Sequence, residues 1–259
     1  MAFYASRCIL CGECVQACEQ GAHIIQDGVH SYDRQRCLVC GKCVEGCASE
    51  ALEMTGKEMT VEQVMAEVHA DVAFYANSGG GITISGGEPL LQGEFTAALL
   101  NRCKQEGIHT AIETSAIFHW EALEHLLTVT DLVMMDIKHM DDKKHRAATG
   151  VSNQRILANA RKLAETNKPI LFHTPVIPGV NDSPEEIGAI AAFVRNLIDV
   201  RGSVYPDQPA SISLVLLPFH LLAGDKYRSL DLEYLASHLE MPSKDKMFAL
   251  TRLVDDVIH

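Results

Sequence analysis

Past residue 55 the apolar positions fall into two alternating patterns. From Thr60 to Asn77 they recur at 61, 64, 65, 68 and 72, one stripe of an amphipathic helix, with Thr60, Glu62 and Gln63 marking its start. Gly79-Gly80-Gly81 ends that pattern, a strand-like Ile82-Thr83-Ile84 follows, and Gly86-Gly87 turns the chain again. Further strand-like runs occupy 109–113, 132–137, 170–174 and 212–217, with helical stretches at 94–106, 153–166 and 184–198 between them. Five strands alternating with helices predict an α/β fold, a parallel sheet with crossover helices. The longest apolar run, 212–223, is broken by Pro218 and His220. A membrane helix needs about 18 uninterrupted apolar residues, so no membrane segment is expected.

Residues 1–55 are organised by cysteine instead. Cys8, Cys11, Cys14 and Cys18 are spaced C-x2-C-x2-C-x3-C, and Cys37, Cys40, Cys43 and Cys47 repeat that spacing. The surrounding residues repeat too, CILCGECVQAC against CLVCGKCVEGC. Thiolates suit both zinc and iron–sulfur clusters. Zinc takes two separated C-x2-C pairs. Two runs of four with this spacing resemble bacterial ferredoxins with two [4Fe–4S] clusters, where the fourth cysteine of each run ligates the other cluster. One cluster is then expected on Cys8, Cys11, Cys14 and Cys47, the other on Cys37, Cys40, Cys43 and Cys18. Glu19 and Ala48 stand where proline usually follows the fourth cysteine, which removes no ligand. The expected domains are a ferredoxin-like α+β domain over 1–55 and an α/β domain over 56–259.

Composition narrows the classes. With 22 Lys and Arg against 34 Asp and Glu, the formal charge is −12. That balance argues against a nucleic-acid surface, which needs clustered cations to neutralise phosphates. The 259 residues, 47% of them hydrophobic, suffice for a substantial core. No charged leader with an apolar core precedes the first cysteine, so secretion is not indicated. Cysteine-rich and unsecreted together point to metal or redox chemistry in the cytoplasm rather than disulfides. Cys103, the ninth cysteine, reads as a small buried apolar residue.

Each strand of the α/β region ends in polar residues, where barrel-like α/β folds carry their chemistry. These are Ser85-Gly86-Gly87-Glu88-Pro89, then Glu113-Thr114-Ser115, then Asp136-Ile137-Lys138. His173-Thr174-Pro175 with Pro178-Gly179-Val180-Asn181-Asp182 follow, and finally Pro218-Phe219-His220. Five such sets in order outweigh the bland explanation, turn or helix cap, available to each alone.

The segments SGGGITISGGEPLLQ, IHTAIETS, DLVMMDIKHMDDKKHRAATGVSNQRIL, TPVIPGVNDS and LLPFH resemble the glycyl-radical-enzyme activating enzymes. These are radical S-adenosylmethionine (SAM) proteins of the pyruvate formate-lyase activase type. The two-cluster insert resembles the subgroup with choline lyase-, glycerol dehydratase- and hydroxyphenylacetate decarboxylase-like partners. The resemblance implies a partial (β/α)6 TIM-like barrel in which the five strands lack the first. It implies that the backbone of Gly86, Gly87, Glu88 and Pro89 holds the methionyl amino group of SAM, glycine allowing close approach. It assigns SAM contacts to Asp136 and Lys138, which share a strand face, to the backbone of Ile137, and to His220. Glu113 and Thr114 fall where the family places polar groups near SAM and, in some members, a monovalent cation. His173 stands where the family commonly has arginine, and Ala116 where it has glycine.

The implied activity is reductive cleavage of SAM followed by hydrogen abstraction from a glycine of a partner glycyl radical enzyme, a lyase or dehydratase. A flavodoxin- or ferredoxin-like donor would supply electrons through the insert clusters. In the family, a C-x3-C-x2-C loop holds a third, radical-site [4Fe–4S] cluster, and no such spacing occurs here. The sequence therefore resembles such an enzyme without its first few dozen residues, and no catalytic residue is assigned. Two other readings stand beside it. A non-catalytic dicluster electron-transfer or partner-binding protein predicts about eight irons per chain and no SAM cleavage. A zinc-stabilised interaction module predicts zinc and no visible absorbance.

Overall fold

The computed structural model describes residues 1–259 as two compact units. One comprises Met1–Glu58 with His220–Leu239, the other Met59–Phe219 with Glu240–His259. No helix is long and apolar enough to cross a membrane.

The first unit is small and built on a repeat. Strand β1 (Ala2–Phe3) pairs antiparallel with β4 (Leu52–Glu53), and β2 (His23–Gln26) pairs with β3 (Val29–Tyr32) as a hairpin. Two short helices, α1 (Glu13–Ala17) and α2 (Lys42–Glu45), follow Gly12 and Gly41, each at φ 83°. Leu10 and Val39, also at equivalent positions, lie at φ 61° and 54°. Left-handed backbone is uncommon outside glycine and a genuine outlier for β-branched valine. It winds each C-x2-C-x2-C loop tightly about its sulfurs. Cys14, Cys43 and Leu52 form the buried cluster, flanked by Met1, Phe3 and Val44. So small a core belongs to a domain that needs cross-links or metals as staples.

The second unit carries the predicted sheet. Strands β5 (Gly81–Ile84), β6 (His109–Thr114), β7 (Leu132–Asp136), β8 (Ile170–Val176) and β9 (Ile212–Pro218) are all parallel, in the order β5-β6-β7-β8-β9. Because spatial and sequence order coincide, every crossover advances the same way, as in a barrel. A doubly wound sheet would reverse direction at a switch point. Gly81 is required by contact, since a Cβ there would lie 1.9 Å from the His109 carbonyl oxygen.

Helices cover one face. They are α3 (Val61–Ala70), α4 (Val72–Ser78), α5 (Gly93–Gln105), α6 (Trp120–Leu127), α7 (Asp142–Thr149), α8 (Gln154–Ala164), α9 (Pro184–Val204) and α10 (Lys244–Ile258). The helix predicted over 60–77 starts at Thr60 with a full capping box to Gln63, but it breaks at Asp71, which opens α4. Aspartate is a poor helix-interior residue because its side chain competes for nearby backbone groups. Ile112, Val133, Met135, Ile170, Phe172 and Val176 point into the buried core. The alternate residues of the same strands line the opposite face.

Two buried polar side chains hold loops to this frame. Asn159 donates to the carbonyls of Ala116 (2.9 Å) and Phe118 (2.8 Å), fixing the turn after β6. Ala116 in that turn has φ 51°, a conformation in which glycine would be unstrained. Arg201, fully buried, donates to the carbonyls of Leu163, Ala164, Lys168 and Ala210. It thereby satisfies the open carbonyl end of α8.

Candidate active site and cysteine nests

Strand register gathers one polar cluster. Asp136 pairs with His173, and Glu113 pairs with Met134, two residues before Asp136. In-register parallel neighbours share a face, so Glu113, Asp136 and His173 emerge together at the C-terminal ends of their strands. One ligand atom from each lies within 4.8 Å of the others, a set able to hold a cation. His173 Nδ1 is 3.7 Å from Glu113 Oε1, yet it is buried and makes no hydrogen bond. Ser85 donates to the other oxygen of Glu113 at 2.8 Å. Lys138 Nζ is 2.6 Å from Asp136 Oδ2, a pair only partly exposed.

The turn after β5 is tied to the turn after β6. Gly86 adopts φ 111°, which a side chain would strain, and a Cβ on Gly86 or Gly87 would meet nothing within 4 Å. The space beside this turn is therefore open. Glu88 Oε1 accepts from Thr114 Oγ1 (2.6 Å) and from the Leu90 amide (3.3 Å). Its Oε2 accepts from the amide (2.9 Å) and hydroxyl (2.6 Å) of Ser115. The carboxylate is thus saturated by protein donors and acts as a clasp, while the backbone of 86–87 keeps open space beside it.

Ile137 is buried, its amide donating to His173 O at 2.9 Å and its carbonyl accepting from Thr174 at 2.7 Å. It steadies the strand end between Asp136 and Lys138. Asn181, fully buried, donates to the carbonyls of Lys138 (2.7 Å) and Pro175 (2.8 Å), joining the loops after β7 and β8. Its position in the PGVND run signalled a loop residue, but nothing in the sequence signalled these partners. His220 is exposed, makes no side-chain hydrogen bond and belongs to the first unit.

In that first unit the eight clustered cysteines line two cavities. One, of about 250 Å³, is bounded by Cys37, Cys40 and Cys43 together with Cys18 and His23. The other is bounded by Cys8, Cys11 and Cys14 together with Cys47 and His30. Each cavity thus joins three cysteines of one run to the fourth of the other. Backbone amides approach the sulfurs, Val39 N at 3.3 Å from Cys37 and Ala22 N at 3.4 Å from Cys18. Burial, then the Cys8 and Cys11 thiols, raise the pKa of Cys14, while burial, then Cys37, push Cys43 up to about 11. The buried thiols Cys14 and Cys43 resist ionising unless a cationic core neutralises them, the demand a metal cluster meets. Cys103 is buried away from them, its sulfur 3.5 Å from that of Met65.

Comparison with known proteins gives the family. The profile of the Radical SAM superfamily matches residues 35–193, and that of the 4Fe-4S binding domain matches residues 1–22. The chain is 42% identical over 240 residues to the isethionate sulfite-lyase activating enzyme of Nitratidesulfovibrio vulgaris, an alignment spanning 90% of this chain and 74% of that protein. This chain belongs to the radical SAM glycyl-radical-enzyme activating enzymes. A second activating enzyme, for (2S)-3-sulfopropanediol dehydratase of Klebsiella oxytoca, is 40% identical over 89% of this chain and 72% of its own length. Among solved structures, a domain of the pyruvate-formate lyase-activating enzyme of Bacteroides vulgatus superposes with a TM-score of 0.54 at 29% identity. It covers 69% of this chain and 94% of that domain. As an activating enzyme of this family, the protein works with iron–sulfur chemistry and SAM.

Proposed function

We propose that this activating enzyme binds SAM at the C-terminal rim of its sheet. The turn at Gly86 and Gly87 receives the amino group through its backbone, and the strand end at Asp136 and Lys138 contributes the charged contacts. For His220, a role toward SAM rests on the family resemblance alone. The observation that carries the reading is the convergence of the open glycine turn, the Asp136–Lys138 pair and the unpartnered His173 ring nitrogen on one strand-end face. Bound SAM would supply the hydrogen-abstracting carbon radical where a radical-site cluster delivers the electron. The chain's own residues orient it: Glu88 locks the glycine turn through Thr114 and Ser115, and Asn181 locks the Lys138 carbonyl. Glu113 and Asp136 suit a cation beside it.

The two cysteine nests fit two [4Fe–4S] clusters in the crossed arrangement, with residues 1–55 as the electron-transfer domain and 56–259 as the SAM domain. A flavodoxin- or ferredoxin-like protein is the proposed donor. The partner is a glycyl radical enzyme of the lyase or dehydratase class, which would receive the radical once a radical-site cluster is in place, and the two relatives described above favour a partner that acts on a small sulfonate. No three-cysteine C-x3-C-x2-C set for the radical-site cluster occurs in these 259 residues, so the residues present do not fit that cluster. The test is equilibrium dialysis of the chain against labelled SAM. Binding at least tenfold weaker in Gly86→Val and Asp136→Ala is expected, and binding equal in wild type and both variants overturns the assignment.

A further inference from the structure

Two histidines are buried between the cysteine nests, and nothing in the SAM chemistry uses them. His23 and His30 lie on one face of the β2–β3 hairpin, because His23 pairs with Tyr32 and Ile25 pairs with His30. His23 is 2% exposed and His30 is 9% exposed. His23 Nδ1 and His30 Nε2 are 3.1 Å apart, a hydrogen bond between the two rings. His30 reaches the first nest, with Nδ1 3.3 Å from Cys8 Sγ and Nε2 3.6 Å from Cys14 Sγ. His23 lines the other cavity, and its Nε2 is buried with no partner. Phe3 packs on His30 (4.4 Å between ring centroids) and Tyr32 stacks on His23 (4.8 Å), so neither ring is free to turn.

Hydrogen-bond arithmetic makes the pair directional. A neutral imidazole carries one N–H, one ring nitrogen donating and the other accepting. A cysteine that ligates a metal is a thiolate, an acceptor only. Of the two thiolates His30 faces, Cys8 is the nearer (3.3 Å to Nδ1, against 3.6 Å from Nε2 to Cys14), while Nε2 has a closer partner in His23 at 3.1 Å, so the proton is placed on Nδ1. His30 Nε2 is then the acceptor and takes its hydrogen from His23 Nδ1. That leaves His23 Nε2 as a bare lone pair at the other nest. With Nδ1–H on Cys8 and the ring-to-ring bond kept, the neutral pair has no N–H left for the other nest. The cysteine runs are near copies, so this pair is what makes their surroundings unequal.

We propose that the His23–His30 pair sets the two clusters at different potentials, by donating an N–H to the cluster on Cys8, Cys11, Cys14 and Cys47 and presenting a lone pair to the cluster on Cys18, Cys37, Cys40 and Cys43. A donor to cluster sulfur stabilises the more negative, reduced state and raises the potential. The cluster beside His30 is therefore the easier to reduce. This inference rests on the two-cluster reading, which iron analysis tests separately.

The experiment is an EPR-monitored redox titration of the reconstituted full chain, wild type against His30→Phe and His23→Phe, with iron counted in each. His30→Phe should keep the wild-type iron content while one midpoint shifts downward and the other stays. His23→Phe, which removes both the donor to His30 Nε2 and the lone pair at the other nest, should lower the same midpoint by less and raise the other. Wild-type protein labelled with ¹⁵N-histidine should show nitrogen and exchangeable-deuteron couplings at one reduced cluster by ENDOR. Absence of those couplings in wild type overturns the proposal even if His30→Phe fails to assemble. Unchanged midpoints in a fully loaded His30→Phe overturn it as well. An iron content far below two clusters in wild type overturns the two-cluster reading instead.

Discussion

Glu88 and Ser115, 27 residues apart, are joined by two hydrogen bonds to one carboxylate oxygen, from the Ser115 amide at 2.9 Å and its hydroxyl at 2.6 Å. The link makes the glycine turn after β5 and the turn after β6 one object, so either can be perturbed from the other. Replacing Glu88 with alanine strands the Thr114 and Ser115 donors and costs about 2 kcal/mol, the scale for leaving a charge-assisted bond unmade. Glu88→Ala should therefore weaken SAM binding in dialysis while circular dichroism stays native. Ser115→Ala, which keeps the amide bond, should weaken it less.

The crossed cavities make a reciprocal prediction about iron. Cys47 lies with Cys8, Cys11 and Cys14, and Cys18 with Cys37, Cys40 and Cys43. Cys47→Ser should disturb the cluster of the first run, and Cys18→Ser that of the second, although each is distant in sequence from the run it completes. EPR of the two singly perturbed proteins should show complementary losses. The reconstituted 259-residue polypeptide should hold about eight irons and form no 5′-deoxyadenosine when reduced with dithionite and SAM. Detection of that product would mean that a radical-site cluster forms without the C-x3-C-x2-C set.

Arg201 gives the stability test for the second unit. Four carbonyls depend on its guanidinium, among them those of Leu163 and Ala164 at the end of α8. Arg201→Met fills similar space but leaves those acceptors unpaired, and should destabilise by about 3 kcal/mol. Urea unfolding should show a lower midpoint with an unchanged slope. Arg201→Lys should recover little, because lysine lacks the planar fork of five donors.

Acid should loosen the β6–β7 region through Asp131. Its carboxylate accepts from Lys104 Nζ at 2.6 Å and from the amide and hydroxyl of Thr110 at 3.0 and 3.1 Å. Burial alone would raise its pKa, but the Lys104 and Thr110 bonds outweigh that and hold it below 3.8. The unfolded chain therefore takes up the proton first. This contribution to stability is fully present above the unfolded pKa and disappears as pH falls through the folded one. Melting temperature should drop below about pH 4, and Asp131→Asn should flatten that drop while lowering stability at neutral pH.

Local regularity explains what could be read in advance. The five strands were legible because short β-branched and apolar runs bounded by glycine, proline and polar residues suit a sheet buried on one side. The 60–77 helix was legible as one stripe, but its break at Asp71 was not, because periodicity is blind to a single-residue turn. Helix α7, Asp142–Thr149, went unseen because its residues are mostly charged or small and give no apolar face. His23 and His30 carried no signal at all. They sit seven positions apart in unremarked sequence and become neighbours only through the Asp27–Gly28 turn, both residues of which are left-handed, at φ 53° and 73°.

By itself the sequence determined the composition of the sites: two sets of four thiols at ferredoxin spacing, a glycine turn, and an acid–lysine strand end. Spacing along the chain dictates those, because each is local. Which groups meet was decided only by tertiary structure. Parallel register brought Glu113 and His173 to Asp136, the clasp spent the Glu88 carboxylate on Ser115, and hairpin pairing set one histidine at each nest. Hydrogen bonds are satisfied between distant residues, and one register step would have turned each of these side chains to the opposite face.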